Sequence, residues 1–120
     1  MDTETTKLED GIKVYEIGYH LIPTIAEEKV GGEVETIKSL ISKSKGEFIS
    51  DEFPKLRPLA YMMPTQVSGV RHKFTEAYFG WIKFQIESDK LADIKKALDG
   101  NEKILRYLLI TTIRENTYLG

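Results

Sequence analysis

The sequence predicts an α+β domain of the ferredoxin-like βαββαβ type, with a four-stranded antiparallel sheet and two helices on one of its faces. Three observations predict it. Four stretches alternate side chains with the strand period of two, two stretches repeat apolar residues at helical spacing, and their order along the chain is strand, helix, strand, strand, helix, strand. A length of 120 residues suits one domain that buries its own core. The absence of cysteine removes disulfide staples, thiol catalysis and thiolate metal sites together.

Residues 1–11 are acidic and polar and offer too little apolar surface to offset the cost of ordering, so they read as a disordered extension ahead of a single domain over 12–114. They lack the pattern of a signal peptide, and no apolar run approaches the roughly 20 residues that span a bilayer. The expected setting is the cytoplasm. Residues 12–21 form the first strand, with Tyr15, Ile17, Tyr19 and Leu21 on one face and Val14, Glu16, Gly18 and His20 on the other. Pro23 ends it.

Thr24 and Glu27 have the spacing of a capping box, in which each side chain satisfies a free backbone donor at a helix start. Val30, Val34, Ile37 and Ile41 then form one helical stripe. Gly31-Gly32 interrupts it at a cost of about 1 kcal/mol each relative to alanine, so the regular part is expected after Gly32, with Gly46 as its C-terminal cap. Residues 47–52 and 57–63 read as one long strand broken around Pro54 and Pro58. Proline cannot donate to a ladder, which puts this strand at an edge or gives it a bulge. Residues 64–73 read as a loop.

The third strand, 77–86, is apolar on both faces: Tyr78, Ile82, Phe84 and Ile86 share one, while Phe79, Trp81, Lys83 and Gln85 share the other. Ser88 is placed as the cap of a short helix carrying Leu91, Ile94 and Leu98 and closed by Gly100. The fourth strand, 104–111, repeats the two-sided pattern, and residues 115–120 form a tail. Tyr15, Ile17, Tyr19, Leu21, Leu59, Tyr61, Ile82, Phe84, Ile86, Leu105, Tyr107 and Leu109 are assigned to the helix side. The other side carries Glu16, Met62, Phe79, Trp81, Lys83, Arg106, Leu108 and Ile110. One domain has one core, so aromatics on the uncovered side imply a surface awaiting a partner or a stacked base.

Net charge is −2, unevenly spread. Residues 1–36 hold nine acids and three lysines, net −6, whereas the other 84 residues hold 14 bases and 10 acids, net +4. No acid occurs between Pro54 and Thr75, while Lys55, Arg57, Arg71, His72 and Lys73 do, a local basic patch of the kind that meets phosphate. The turn Leu21-Ile22-Pro23-Thr24 has neither an arginine nor a glycine-rich loop, so an acylphosphatase-like anion cradle is missing. His20 and His72 have no ligand spacing. No catalytic residue, metal, cofactor or small-molecule substrate is assigned, and the chain is not expected to be an enzyme. RNA-recognition modules share the element order, and Phe79-Gly80-Trp81-Ile82-Lys83-Phe84 follows the later part of their third-strand motif, although Ala77-Tyr78 stands where a basic residue and glycine are expected. A stand-alone RNA-binding module using the open face is therefore the alternative reading.

The ordered set Tyr15-Glu16-Ile17, Arg57 with Leu59-Ala60-Tyr61, Tyr78-Phe79 with Trp81, and Asn101 with Ile104-Leu105-Arg106 resembles the bacterial small-subunit ribosomal protein six family. The likeness runs over residues 13–113. It departs from the family at Leu56-Arg57-Pro58, where two adjacent basic residues are usual, at Met62-Met63, where Pro-Ile is usual, and in the acidic extension. The resemblance implies a structural role in the ribosome, binding the central domain of small-subunit ribosomal RNA together with small-subunit protein eighteen. On that reading Phe79, Trp81, Leu108 and Ile110 meet the protein partner, and Arg57, Arg71, Lys73, Lys83 and Arg106 meet RNA phosphates.

Overall fold

The structure, a computed structural model, describes residues 11–67 and 70–112, with the backbone alone given for 60–67 and 70–73. The expected extension over 1–10, the tail over 115–120, and the side chains of Tyr61, Met62, Arg71, His72 and Lys73 lie outside the described residues. Strands β1 (Ile12–Leu21), β2 (Glu47–Val67), β3 (Val70–Glu87) and β4 (Ile104–Thr112) form one antiparallel sheet in the order β2-β3-β1-β4. Helices α1 (Val30–Lys43) and α2 (Leu91–Asp99) supply the crossovers, giving the expected βαββαβ fold.

The pleat of β1 sorts the molecule. Tyr15, Ile17, Tyr19 and Leu21 are buried together with Val30, Val34, Ile37 and Ile41 of α1 and Ile94 and Leu98 of α2. Ile82, Phe84 and Ile86 of β3 complete the same core. Each such side chain contributes about 1.5–3 kcal/mol when removed fully from water. Tyr78 donates to the Ile25 carbonyl at 3.2 Å and Tyr107 donates to Asp99 Oδ1 at 2.7 Å, so these two tyrosines tie the sheet to its helical layer.

Three local expectations are corrected. The Thr24–Glu27 box does not form; a 3-10 turn, Glu27–Lys29, leads into α1 with Ala26 at its start and no side-chain cap. The helix runs through Gly31 and Gly32, which fall in its first turn, because Val30 is already anchored in the core. Likewise Ser88 belongs to a 3-10 turn, Ser88–Lys90, rather than capping α2, and its N–H donates to the Gly11 carbonyl at 2.7 Å, tying the start of β1 to the end of β3. Gly100 closes α2 as expected.

The end of α1 is a Schellman motif. The Lys45 N–H donates to the Ser42 carbonyl at 2.9 Å and the Gly46 N–H to the Ile41 carbonyl at 2.8 Å. Lys45, not the glycine, takes the left-handed conformation, with φ 66°. Gly46 is required for another reason: a Cβ there would lie 2.5 Å from the Ile41 side chain.

The expected loop over 64–73 is instead paired strand. Register continues from Met63 opposite Phe74 to Val67 opposite Val70, leaving two residues between the strands. β1 pairs β3 only as far as Leu21 opposite Tyr78, so the outer part of the β2–β3 hairpin projects as a two-stranded arm beyond the sheet. β2 is an edge strand, with register shifts between Glu52 and Lys55 and between Pro58 and Met63, as its prolines require.

Register in the middle of the sheet depends on Gly80, which lies opposite Tyr19. A Cβ at Gly80 would fall 2.9 Å from the Glu52 carbonyl oxygen, 2.9 Å from the Tyr19 hydroxyl and 3.0 Å from the Pro54 Cα. Two of these atoms are backbone and cannot rotate away. The Tyr19 hydroxyl in turn is buried without a hydrogen-bond partner among the described residues, and burial, reinforced by the Asp51 carboxylate, raises its pKa far above the usual phenol value. Gly80→Ala is expected to lower the unfolding free energy by about 1–3 kcal/mol in urea titration, as overpacking does. Tyr19→Phe removes a desolvated group that gains nothing in return, so it should raise stability by about 1 kcal/mol in the same measurement; a loss of stability would show that the hydroxyl contributes to folding.

Candidate partner-binding face

The face of the sheet opposite the helices is built by register. Moving along β1, Glu16 lies between Lys83 and Ile110, Gly18 between Trp81 and Leu108, and His20 between Phe79 and Arg106. β2 extends these rows with Ser50 opposite Lys83, Glu52 opposite Trp81 and Lys55 opposite Phe79. All four residues assigned to protein contact therefore stand on one face, with Lys83 and Arg106 among them.

Their exposures differ in a way the alternation does not show. Leu108 is 62 % exposed, Ile110 43 % and Phe79 37 %, large values for apolar side chains beside one another. Trp81 is half-buried, and its indole N–H donates to Glu52 Oε1 at 2.9 Å, while Glu52 also pairs with Lys55 at 3.7 Å. The indole is thus tethered to the neighbouring edge strand, β2. Lys83 is only 6 % exposed, enclosed by its row, which leaves little of it to meet a phosphate. Sequence parity placed it on the correct face but could not show that its side chain is buried there.

Phe79 and His20 stack in a tilted pair, ring centroids 4.9 Å apart. Burial lowers the His20 pKa below the usual imidazole value and the Arg106 guanidinium lowers it further, so the ring is neutral at pH 7. Between Phe79 on one side and Leu108 and Ile110 on the other lies a depression of about 220 Å³ floored by Gly18, with Glu16 at one end and Arg106 at the other. Gly18 and His20 were placed on this face by alternation alone; nothing in the sequence marked them as lining a depression.

The remaining cations lie at the end of the face and along the arm. Arg106 is exposed on the face itself. Arg57 is exposed at the base of the arm, opposite Ala77. Lys73 and Arg71 follow farther out on β3, opposite Pro64 and Gln66. At about 3.3 Å per residue, Arg71 sits some 20 Å along the strand from Ala77. A second exposed apolar group, missed at the sequence level, runs along the β2 edge: Phe48, Phe53 and Leu56 are 41 %, 54 % and 49 % exposed. Lys38 covers the Phe48 ring at 6.0 Å. Among the described residues no cluster of histidine and carboxylates could hold a metal ion, and no helix is long and apolar enough to cross a membrane.

Comparison with known proteins matches this architecture to one family. The profile of Ribosomal protein S6 matches residues 14–111, from the first core residue of β1 almost to the end of β4. Small ribosomal subunit protein bS6 of Caldanaerobacter subterraneus subsp. tengcongensis is 33 % identical over 102 residues, covering 84 % of this chain and 98 % of that protein. The bS6 protein of Thermoanaerobacter pseudethanolicus is 31 % identical over the same span and coverage. The crystal structure of 30S ribosomal protein S6 from Thermotoga maritima superposes with a TM-score of 0.74 at 22 % identity, covering 84 % of this chain and 88 % of that one, a likeness of fold. The chain belongs to the ribosomal protein S6 family, whose members are structural proteins of the small ribosomal subunit and not enzymes.

Proposed function

We propose that the protein binds the central domain of small-subunit ribosomal RNA in the cytoplasmic ribosome together with small-subunit protein eighteen, using the open sheet face for the protein and the basic arm for RNA. The observation that carries this reading is the contiguous exposure of Phe79, Leu108 and Ile110 on a face that no element among the described residues covers. Burying them against a partner yields roughly 25 cal/mol per Å² of apolar surface. An RNA backbone, hydrated and anionic, gives no such return.

The arm suits the other role. Arg57, Lys73 and Arg71 succeed one another in a stretch without acids. Such contacts position RNA and do so in a salt-dependent way. Lys83 supports the face from within. Stand-alone RNA reading has one feature in its favour, the Phe79–His20 stack, which offers an aromatic platform for a base.

Titration of a central-domain RNA fragment with and without protein eighteen, at two salt concentrations, separates these readings. Tight, salt-sensitive binding only with the partner supports the joint role, whereas equal binding without it favours direct RNA reading. Leu108→Ala and Trp81→Ala are each expected to weaken the protein contact by about 1–2 kcal/mol while the melting profile stays cooperative. Unchanged affinity in both variants would move the interface off this face. Arg57→Gln should reduce RNA affinity and its salt slope and leave the protein contact unaltered.

A further inference from the structure

Glycine weakens a strand interior, because it has no side chain to pack and more backbone freedom to lose. The central part of the sheet holds two. Gly80 has a steric reason, since three atoms lie within 3.0 Å of where its Cβ would be. Gly18, on the central strand β1, has none: a Cβ there would touch only the Phe79 ring, at 3.6 and 3.8 Å, ordinary contact distances. Backbone geometry does not require it either, as only Gly11 among the described glycines has a positive φ. What Gly18 does produce is the floor of the 220 Å³ depression between Phe79 and Leu108.

We propose that this depression is a socket for one bulky aliphatic side chain of the protein partner, seated beside a partner carboxylate that meets Arg106. The inference rests on the reading of the open face as a protein interface and names what enters it. The walls decide the class of occupant. Leu108 and Ile110 are aliphatic, and the Phe79 ring is already stacked on His20, so the walls of the pocket offer packing surface, with the one guanidinium, Arg106, at its end. Arg106 is exposed and forms no ion pair among the described residues, while Lys55 is already paired with Glu52 and Lys83 is enclosed. The socket thus has an unpaired cation at its His20 end and the Glu16 carboxylate at the other, so an acidic group of the partner is complementary at the Arg106 end.

Binding of purified protein eighteen, without RNA, to the parent chain and to Gly18→Ala, Gly18→Val, Leu108→Ala and Arg106→Gln tests this. Gly18→Ala should melt at or above the parent temperature and bind more weakly, and Gly18→Val, which fills the socket, should bind at least about tenfold more weakly. Arg106→Gln should weaken binding and flatten its salt dependence. Parent-like affinity in both glycine variants overturns the socket and leaves the interface reading standing if Leu108→Ala still weakens binding. A parent chain that does not bind protein eighteen overturns both. If Gly18→Val spares protein eighteen and lowers affinity for the RNA fragment alone, the occupant is a nucleotide and the assignment to a protein side chain falls.

Discussion

The contact between Tyr19 and Gly80 sets the register on which everything else in the sheet depends. Tyr19 stands opposite Gly80 on the helix side of the central strand pair, with its hydroxyl 2.9 Å from where a Cβ would be. A slip of one residue would oppose Tyr19 to Phe79 or Trp81 and turn every β3 side chain to the other face. The rows of the open face are fixed by the same contact. Glu16, Gly18 and His20 find Lys83, Trp81 and Phe79 beside them only because Tyr19 and Ile17 find Gly80 and Ile82 beneath the helices. The buried hydroxyl without a partner is the cost of filling that site with a ring large enough to reach it.

The interface and the core are thus two readings of one pleat. Helices cover a single side, so the apolar side chains of β3 and β4 that are not needed for the core remain in water, led by Leu108. The sheet's edges differ in the same direction. β2 carries three prolines and several register shifts, features that block strand addition. β4 has no proline and one charge, Arg106, and it bears the two most exposed apolar side chains of the open face. The guarded edge and the unguarded one lie on opposite sides of the molecule, so a partner seated on Leu108 and Ile110 would also shield β4.

Much of this was legible in the sequence where side chains alternate over several residues. β1 was read to its observed bounds, β4 to within a residue, and the helix-side positions of Tyr15, Ile17, Tyr78 and Tyr107 follow from parity alone. What failed was local chemistry outweighed by tertiary contact. Thr24 and Glu27 have capping spacing, but Ile22 and Ile25 are buried and hold that segment in a turn that starts the helix at Val30. Residues 64–73 were read as a loop, yet Val67 and Val70 stand at hairpin spacing, and pairing with β2 carries β3 outward to Val70. The face itself was found and its composition was read correctly; the burial of Lys83 and the tether on Trp81 depend on cross-strand neighbours that no single strand's pattern contains.

Charge and apolar surface are also separated along the chain. Between Pro54 and Thr75 there is no acid, and that stretch is the arm together with its base, while the first 36 residues carry net −6. At physiological ionic strength charges interact over about 8 Å, less than half the roughly 20 Å of strand from Ala77 to Arg71. The outer cations of the arm are therefore screened from the Glu16 and Glu52 carboxylates of the face and act on whatever approaches the arm alone. An apolar face and a distant unopposed basic arm can be occupied independently. On the proposed reading, the order in which RNA and protein arrive is then set by the partners' own affinities, because this chain's rigid sheet presents both surfaces before either is bound.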